Sequence, residues 1–157
     1  MSHRVSLIAL GVVVLGGCAT GPVIPGTRVP ETRLNRQIIE VCERYRHAME
    51  DRDSETLVSM AALNYFEDSG TPKAEDDYGY DGLKQVINNR LAALKSVRYN
   101  IEYRSVEVKG SHASIDIRYD ASYQIGTDVG DRWERKQNDK RLELEWDGKQ
   151  WLFVAGM

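Results

Sequence analysis

Apolar and polar side chains alternate without a break from Ala113 to Ile125, and this pattern limits the possible folds more than any other feature. One set of positions carries Ala113, Ile115, Ile117, Tyr119, Ala121, Tyr123 and Ile125, and the set between them carries Ser114, Asp116, Arg118, Asp120, Ser122 and Gln124. A period of two over this length predicts a long strand in an antiparallel sheet. We expect one face of that sheet to be buried and the other to contact water.

The segment before this strand has the same period. Val97, Tyr99, Ile101 and Tyr103 alternate with Arg98, Asn100, Glu102 and Arg104. The apolar phase then moves to Val106 and Val108, which predicts a β-bulge near Ser105. A turn at Gly110-Ser111 would join the two strands as a hairpin.

Two further strands are predicted near the end of the chain. Residues 126 to 130 form a turn, and a long strand follows from about Arg132 to Trp146. Asp147-Gly148 is a strong signal for a two-residue hairpin turn. Residues Trp151 to Ala155 then close the sheet.

The first third of the chain has helical rather than strand periodicity. From Glu31 to Asp51, steps of three and four join Leu34, Ile38, Val41, Cys42, Tyr45, Ala48 and Met49 on one face. Asp53 is predicted to cap a second helix. After a polar loop over residues 67 to 81, Asp81 is predicted to cap a third helix. Its apolar face is Leu83, Val86, Ile87, Leu91 and Leu94.

The order of the predicted elements places the chain in the α+β class, and its charge argues against a nucleic-acid ligand. Helices that precede an antiparallel sheet form an α+β roll, and the length suits one domain. The formal net charge is -3 and no basic stripe is present, so phosphate binding has little electrostatic support. The only cysteines are Cys18 and Cys42.

The beginning of the chain has the features of a secretory signal. His3 and Arg4 precede an apolar run from Val5 to Leu15, and Leu15-Gly16-Gly17-Cys18 follows. This start resembles that of bacterial lipoproteins, in which the segment before the cysteine is removed. The resemblance implies that residues 1–17 are a signal peptide and that fatty acids, such as palmitate, acylate Cys18.

Two other readings of this segment are a transmembrane anchor and an ordinary signal peptide. The apolar run is about half the length that a spanning helix needs, which argues against an anchor. Ala19, rather than Asp, suggests the periplasmic side of the outer membrane if the source is Gram-negative. Residues 18–30 contain Pro22, Pro25 and Pro30 and are predicted to form an extended tether.

Residues 31–157 resemble the nuclear transport factor 2-like superfamily, which includes ketosteroid isomerase-like and polyketide cyclase-like proteins. The resemblance rests on Tyr45–Asp53, a helix end with an Asp-containing linker, and on Leu142–Val154, which is similar to the final hairpin. It implies a cone-shaped roll in which N-terminal helices pack on a curved antiparallel sheet, with a pocket at the open end. It does not imply one activity, because members include enzymes, binding modules and assembly subunits.

Tyrosines are the best candidates for a pocket wall. Tyr45, Tyr65, Tyr99, Tyr103, Tyr119 and Tyr123 are expected to contribute hydroxyls and aromatic area to a ligand site. Ordinary core packing is the alternative. Asp116, Arg118 and Asp120 lie on the opposite strand face, where a ladder of exposed charges is expected. No catalytic residue, metal site or cofactor is predicted.

These observations lead to a principal hypothesis and two alternatives. The principal one is a lipid-anchored envelope protein that binds a small apolar molecule or another envelope protein without catalysis. The first alternative is a small isomerase- or cyclase-type enzyme that uses a Tyr or a His. The second is a homodimer formed through the open sheet face.

Overall fold

Three helices precede a four-stranded antiparallel sheet, as the change of periodicity along the sequence predicts. The computed structural model describes residues 21–68 and 74–157. The helices are α1 (Arg33–Asp51), α2 (Ser54–Ser59) and α3 (Tyr80–Ala92). The strands are β1 (Phe66–Glu67), β2 (Tyr78–Gly79), β3 (Leu94–Lys109), β4 (His112–Thr127), β5 (Gly130–Trp146) and β6 (Trp151–Ala155). Cys18 and the predicted signal lie outside the described residues.

The main sheet has the simple order β3-β4-β5-β6, with each strand antiparallel to the next. The β3–β4 register pairs Tyr99 with Ala121 and Ile101 with Tyr119, so apolar positions face apolar positions across the strands. The register shifts between Tyr103 and Ser105, which confirms the predicted bulge. One face of the sheet is consequently apolar and packs against the helices.

The last hairpin has a longer turn than the sequence predicts. Trp146 pairs with Trp151, so residues 147–150 form a four-residue loop and the two-residue prediction is wrong. The Asp147 carboxylate accepts hydrogen bonds from the backbone N–H groups of Lys149 at 2.7 Å and Gln150 at 2.8 Å. This side chain, rather than a tight backbone turn, organises the loop.

The helix ends agree with the sequence at α2 and differ at α3. Asp53 caps α2 by accepting from the Thr56 N–H at 2.9 Å, as predicted. Helix α3 begins at Tyr80, so Asp81 lies inside its first turn rather than at its cap. Leu94 belongs to β3 rather than to α3, and Leu34 of α1 is exposed.

The region predicted as a polar loop contains a small second sheet. Phe66 pairs with Gly79, and Glu67 pairs with Tyr78, in the antiparallel strands β1 and β2. A 3₁₀ turn at Ala74–Asp76 precedes β2. A short extended piece is predicted over residues 63–66, but the pairing with β2 is not, because two residues are too few to display a period. They bring Tyr78 beside the helices.

Residues 22–31 fold against the domain instead of extending from it. Val23 bridges to Pro30, and the Arg28 N–H donates to the Tyr103 carbonyl at 3.0 Å. Ile24 and Val29 are buried in the core, Val29 completely. The folded unit therefore begins earlier than residue 31, where the sequence placed the boundary.

The core lies between α1, α2, α3 and the apolar face of the sheet. Its fully enclosed members include Ile38, Cys42, Leu57, Ile115, Leu142 and Phe153. Burial raises the pKa of the Cys42 thiol, so Cys42 acts as a small apolar core residue. Among the described helices, none combines the length and apolar character that crossing a membrane requires.

The segment after β6 turns tightly over β5. Gly156 has a φ of 82°, and a Cβ built there would lie 2.2 Å from the Arg141 carbonyl oxygen. Its N–H donates to the Glu67 carboxylate at 3.0 Å. Glycine at this position therefore allows two backbones to meet and places Met157 beside the interior of the cone.

Replacement of Gly156 by alanine should destabilise the fold strongly. We expect Gly156→Ala to lower the free energy of unfolding by about 3 kcal/mol, because it combines left-handed strain with a backbone clash. Gly110→Ala is the matched control, since Gly110 also has positive φ but has no atom within 4 Å of its added Cβ. It should cost only about 1 kcal/mol. Urea unfolding measures both values, and equal losses would contradict the proposed clash.

Candidate functional site

A cavity of about 160 Å³ opens between the helices and the apolar face of the sheet. Its aliphatic wall consists of Met49, Leu57, Leu83, Val86, Ile87, Leu91 and Met157. The α3 spacing of three and four residues places Leu83, Val86, Ile87 and Leu91 on the inner side of that helix. The cavity is therefore a part of the core that the side chains leave unfilled.

Tyrosines form the opposite wall. Tyr45, Tyr78, Tyr99, Tyr119 and Tyr123 line the cavity. The rings of Tyr99 and Tyr119 stack with centroids 5.5 Å apart and planes 7° from parallel. Tyr45 meets Tyr99 edge-on at 6.0 Å. Such contacts hold the rings in fixed positions and present a flat aromatic surface to a bound molecule.

The cavity tyrosines are suited to donate hydrogen bonds and not to accept protons. Burial raises the pKa of Tyr45 and of Tyr99, and neighbouring tyrosines raise that of Tyr99 further. Burial likewise raises the pKa of Tyr123. These hydroxyls consequently remain protonated at neutral pH. The Tyr45 and Tyr99 hydroxyls bond to each other, so this pair has one proton left to donate to a ligand.

Two tyrosines of the predicted set have hydroxyls that are engaged elsewhere. Tyr103 donates to the Glu43 carboxylate at 2.7 Å, and Tyr65 donates to the Glu67 carboxylate at 2.9 Å. Tyr65 also accepts from the Met157 N–H at 3.1 Å. Neither residue lines the cavity, whereas Tyr45, Tyr99, Tyr119 and Tyr123 of the same set do.

Three cations complete the lining, and the sequence analysis did not identify them. Arg90 comes from α3, while Lys136 and Lys140 come from β5. Lys136 pairs with Ala121 and Lys140 with Ile117, so both lysines share the inner face of the sheet. A signal was present, because Lys136 and Lys140 are in phase with the buried Leu142 and Leu144.

Lys140 is the cation most withdrawn from water. Its ammonium donates to the Met157 carbonyl at 2.8 Å. Burial lowers its pKa to about 8; the Glu67 carboxylate partly opposes this shift, and Arg90 and Lys136 add to it. Lys140 therefore loses its proton closer to neutral pH than an ordinary lysine.

The carboxylates of Asp116 and Asp120 lie on the outer face of the sheet. Asp116 binds Arg141 at 2.8 Å and Asp120 binds Arg135, an arrangement that matches the predicted ladder of exposed charges. Arg141 and Arg135 hold the pKa of their partner carboxyls below the usual range. Among the described residues, neither a carboxylate nor a histidine lines the cavity, and no cluster of three potential metal ligands occurs.

Comparison with known proteins relates this chain to others by structure and not by sequence. No family profile matches the sequence, and no curated protein is similar to it. A proposed aromatic ring hydroxylase from Novosphingobium aromaticivorans superposes with a TM-score of 0.66 at 15% identity, over 80% of this chain and 89% of that chain.

Two other similar structures are described as proposed dehydratases. One, from the NTF2-like family of Streptomyces avermitilis, has a TM-score of 0.62 at 13% identity over 78% of this chain and 92% of that chain. The other, a proposed scytalone dehydratase from N. aromaticivorans, has a TM-score of 0.64 at 12% identity over 78% and 80% of the chains. The chain has the nuclear transport factor 2-like α+β cone fold, as its sequence predicted.

Lys140 should give the stability of the protein a distinctive pH dependence. Its pKa is about 8 when folded, against an ordinary value of 10.5, so the unfolded chain binds this proton more tightly. Stability should therefore rise as the pH increases from about 8 toward 10.5. The variant Lys140→Met keeps all other titrating side chains. The difference between the two proteins in the pH dependence of the free energy of unfolding therefore reports on Lys140 alone.

Between pH 7 and pH 9.5, we expect the free energy of unfolding of the wild-type protein to rise by about 1–2 kcal/mol more than that of Lys140→Met. Urea unfolding of both proteins at the two pH values provides the measurement. A difference that does not change with pH would show that Lys140 titrates normally.

Proposed function

We propose that this protein is a lipid-anchored cell-envelope module that binds a small, largely apolar ligand in its cone without catalysis. The observation that carries the proposal is the cavity, in which stacked tyrosines face aliphatic side chains of α3. Ligand sites of this kind combine apolar walls with a few polar groups that orient the bound molecule. Tyrosine hydroxyls at fixed positions would supply that orientation here.

The cavity volume suggests the size of the ligand. An apolar cavity of about 150 Å³ is large enough to hold benzene. The present cavity, at about 160 Å³, therefore suits a molecule whose buried part is about the size of one aromatic ring. Stacking on Tyr119 would favour a flat ring over a branched aliphatic group.

The proposed anchor rests on the sequence around Cys18. The order of a basic start, a short apolar run and Leu-Gly-Gly-Cys resembles the lipobox of bacterial lipoproteins. Two or three acyl chains on Cys18 would attach the protein stably to a bilayer, whereas a single chain would bind only marginally. We propose the periplasmic side of the outer membrane, on the basis of Ala19, for a Gram-negative source.

An enzyme of the isomerase or cyclase type is the second candidate, and Lys140 is the observation that favours it. A lysine with a pKa of about 8 can accept a proton near neutral pH. Three similar structures carry proposed hydroxylase or dehydratase assignments. Binding remains the better-supported function, because the other polar groups of the described cavity wall are tyrosine donors and two ordinary cations.

Ligand binding predicts extra mass on the native protein. Protein purified from its own envelope should show a mass above that of the chain under native conditions, and the excess should vanish on denaturation. Val86→Phe should abolish the excess, because the added ring would occupy the cavity. Val129→Phe is the matched control, since Val129 is 98% exposed and does not line the cavity.

Each alternative gives a different result in the same experiment. A native mass equal to that of the chain would contradict a retained ligand and favour a protein partner, and a doubled mass would indicate the homodimer. A bound molecule that the protein converts to a new mass during incubation would favour the enzyme.

Lipid attachment predicts that Cys18 determines where the protein fractionates. Cys18→Ser should move the protein from the membrane fraction to the soluble fraction, because it removes the thiol that would be acylated. Cys42→Ala is the control, since Cys42 is completely buried and should not affect fractionation. Membrane association that persists in Cys18→Ser would contradict the proposed anchor.

A further inference from the structure

We infer that the ligand carries an anionic group at one end of its ring-sized apolar body, and that Arg90, Lys136 and Lys140 bind this group. The inference rests on the proposed ligand-binding function and specifies its chemistry. It comes from an imbalance of side-chain charge, because the described lining includes three cationic side chains and no Asp or Glu.

The two lysines occupy positions where the strand pattern calls for apolar side chains. Inward-facing positions of β5 alternate, and Leu142 and Leu144 fill two of them as buried core residues. Lys140 and Lys136 continue the same row toward the mouth of the cone. Lys140 is partly buried there, which costs free energy of desolvation that leucine would not, whereas Lys136 remains exposed. A role in binding accounts for that cost.

Several outward-facing cations of the same sheet differ from the cavity cations in that each forms an ion pair with a carboxylate. Arg135 pairs with Asp120, Arg141 with Asp116 and Lys95 with Asp131. Within residues 21–68 and 74–157, by contrast, no Asp or Glu side chain lies within ion-pair distance of Arg90, Lys136 or Lys140. These three outer cations are thus neutralised by carboxylates, whereas Arg90 and Lys136 have no such partner among the described residues and Lys140 contacts only the Met157 backbone oxygen.

The nearby acidic groups are already engaged. Glu67 faces Lys140 from β1, but its carboxylate accepts from the Tyr65 hydroxyl and from the Gly156 N–H. Glu134, on the inner row of β5 beyond Lys136, pairs with Arg132. A carboxylate or a similar anion on the ligand would consequently be the strongest available partner for the three cations.

The arrangement also orients the ligand. Arg90 and Lys136 are exposed, so they mark the mouth of the cavity, whereas Lys140 lies deeper. The anionic group would lie between them, and the apolar body would extend toward the Tyr99–Tyr119 stack. Amphipathic acids should enter this site, and amines of the same shape should be repelled by the uncompensated positive charge.

Three matched probes test the inference by calorimetric titration of the protein. They are 3-phenylpropanoate, 3-phenylpropan-1-ol and 3-phenylpropylamine, which share one body and differ in charge. We expect the acid to bind about tenfold more tightly than the alcohol, as a charge-assisted contact would give, and the amine to bind most weakly. Equal affinities for acid and alcohol would overturn the anionic ligand and leave the proposed binding function intact.

Variants identify the groups that recognise the charge. Arg90→Met and Lys136→Met, at exposed positions, should each reduce the ratio of acid affinity to alcohol affinity to about threefold. Lys149→Met, in the exposed β5–β6 loop, should keep the full preference. A preference that survives in the Arg90→Met/Lys136→Met double variant would overturn the assignment to these residues. Failure of all three probes to bind would contradict the proposed function itself.

Discussion

The pairing of β3 with β4 determines which side chains enter the cone. A shift of one residue would turn every tyrosine of the inner face outward, because side chains alternate along a strand. The register that places Ile101 opposite Tyr119 brings the Tyr99 and Tyr119 rings into a stack. Glu50 of α1 supports this arrangement by accepting from the Tyr99 N–H at 3.0 Å. The cavity wall therefore depends on one strand register and on the helix that covers it.

Strand β5 changes character along its length, and this change creates the open end of the cone. Near its end, Leu142 and Leu144 are fully buried under the helices. Toward its beginning the same inner row carries Lys140 and Lys136, and both faces of the strand contact water. The helices thus cover only part of the sheet. One end of β5 consequently contributes to the closed core, and the other end of the same strand contributes to the polar entrance of the cone.

The architecture could be predicted from the sequence because its periods are long and distinct. The alternation in β3 and β4 and the steps of three and four in α1 were enough to place the elements and the bulge near Ser105. The strand β2 was missed, since a strand of two residues displays no period. The cations of the site were missed for another reason. Their phase with Leu142 and Leu144 was a signal, but the beginning of β5 lacks apolar alternation, and the pairing with β4 shows that Lys136 and Lys140 face inward.

The docking of residues 22–31 has a consequence for the distance between the domain and a membrane. The Pro22 carbonyl accepts from the Glu31 N–H at 2.7 Å, so the folded unit holds the chain from Pro22 onward. If Cys18 carries the lipid, four residue steps join it to Pro22 and span at most about 14 Å. A free tether to Pro30 would span about 40 Å. The domain would then lie against the bilayer surface, with its cavity within reach of molecules held at that surface.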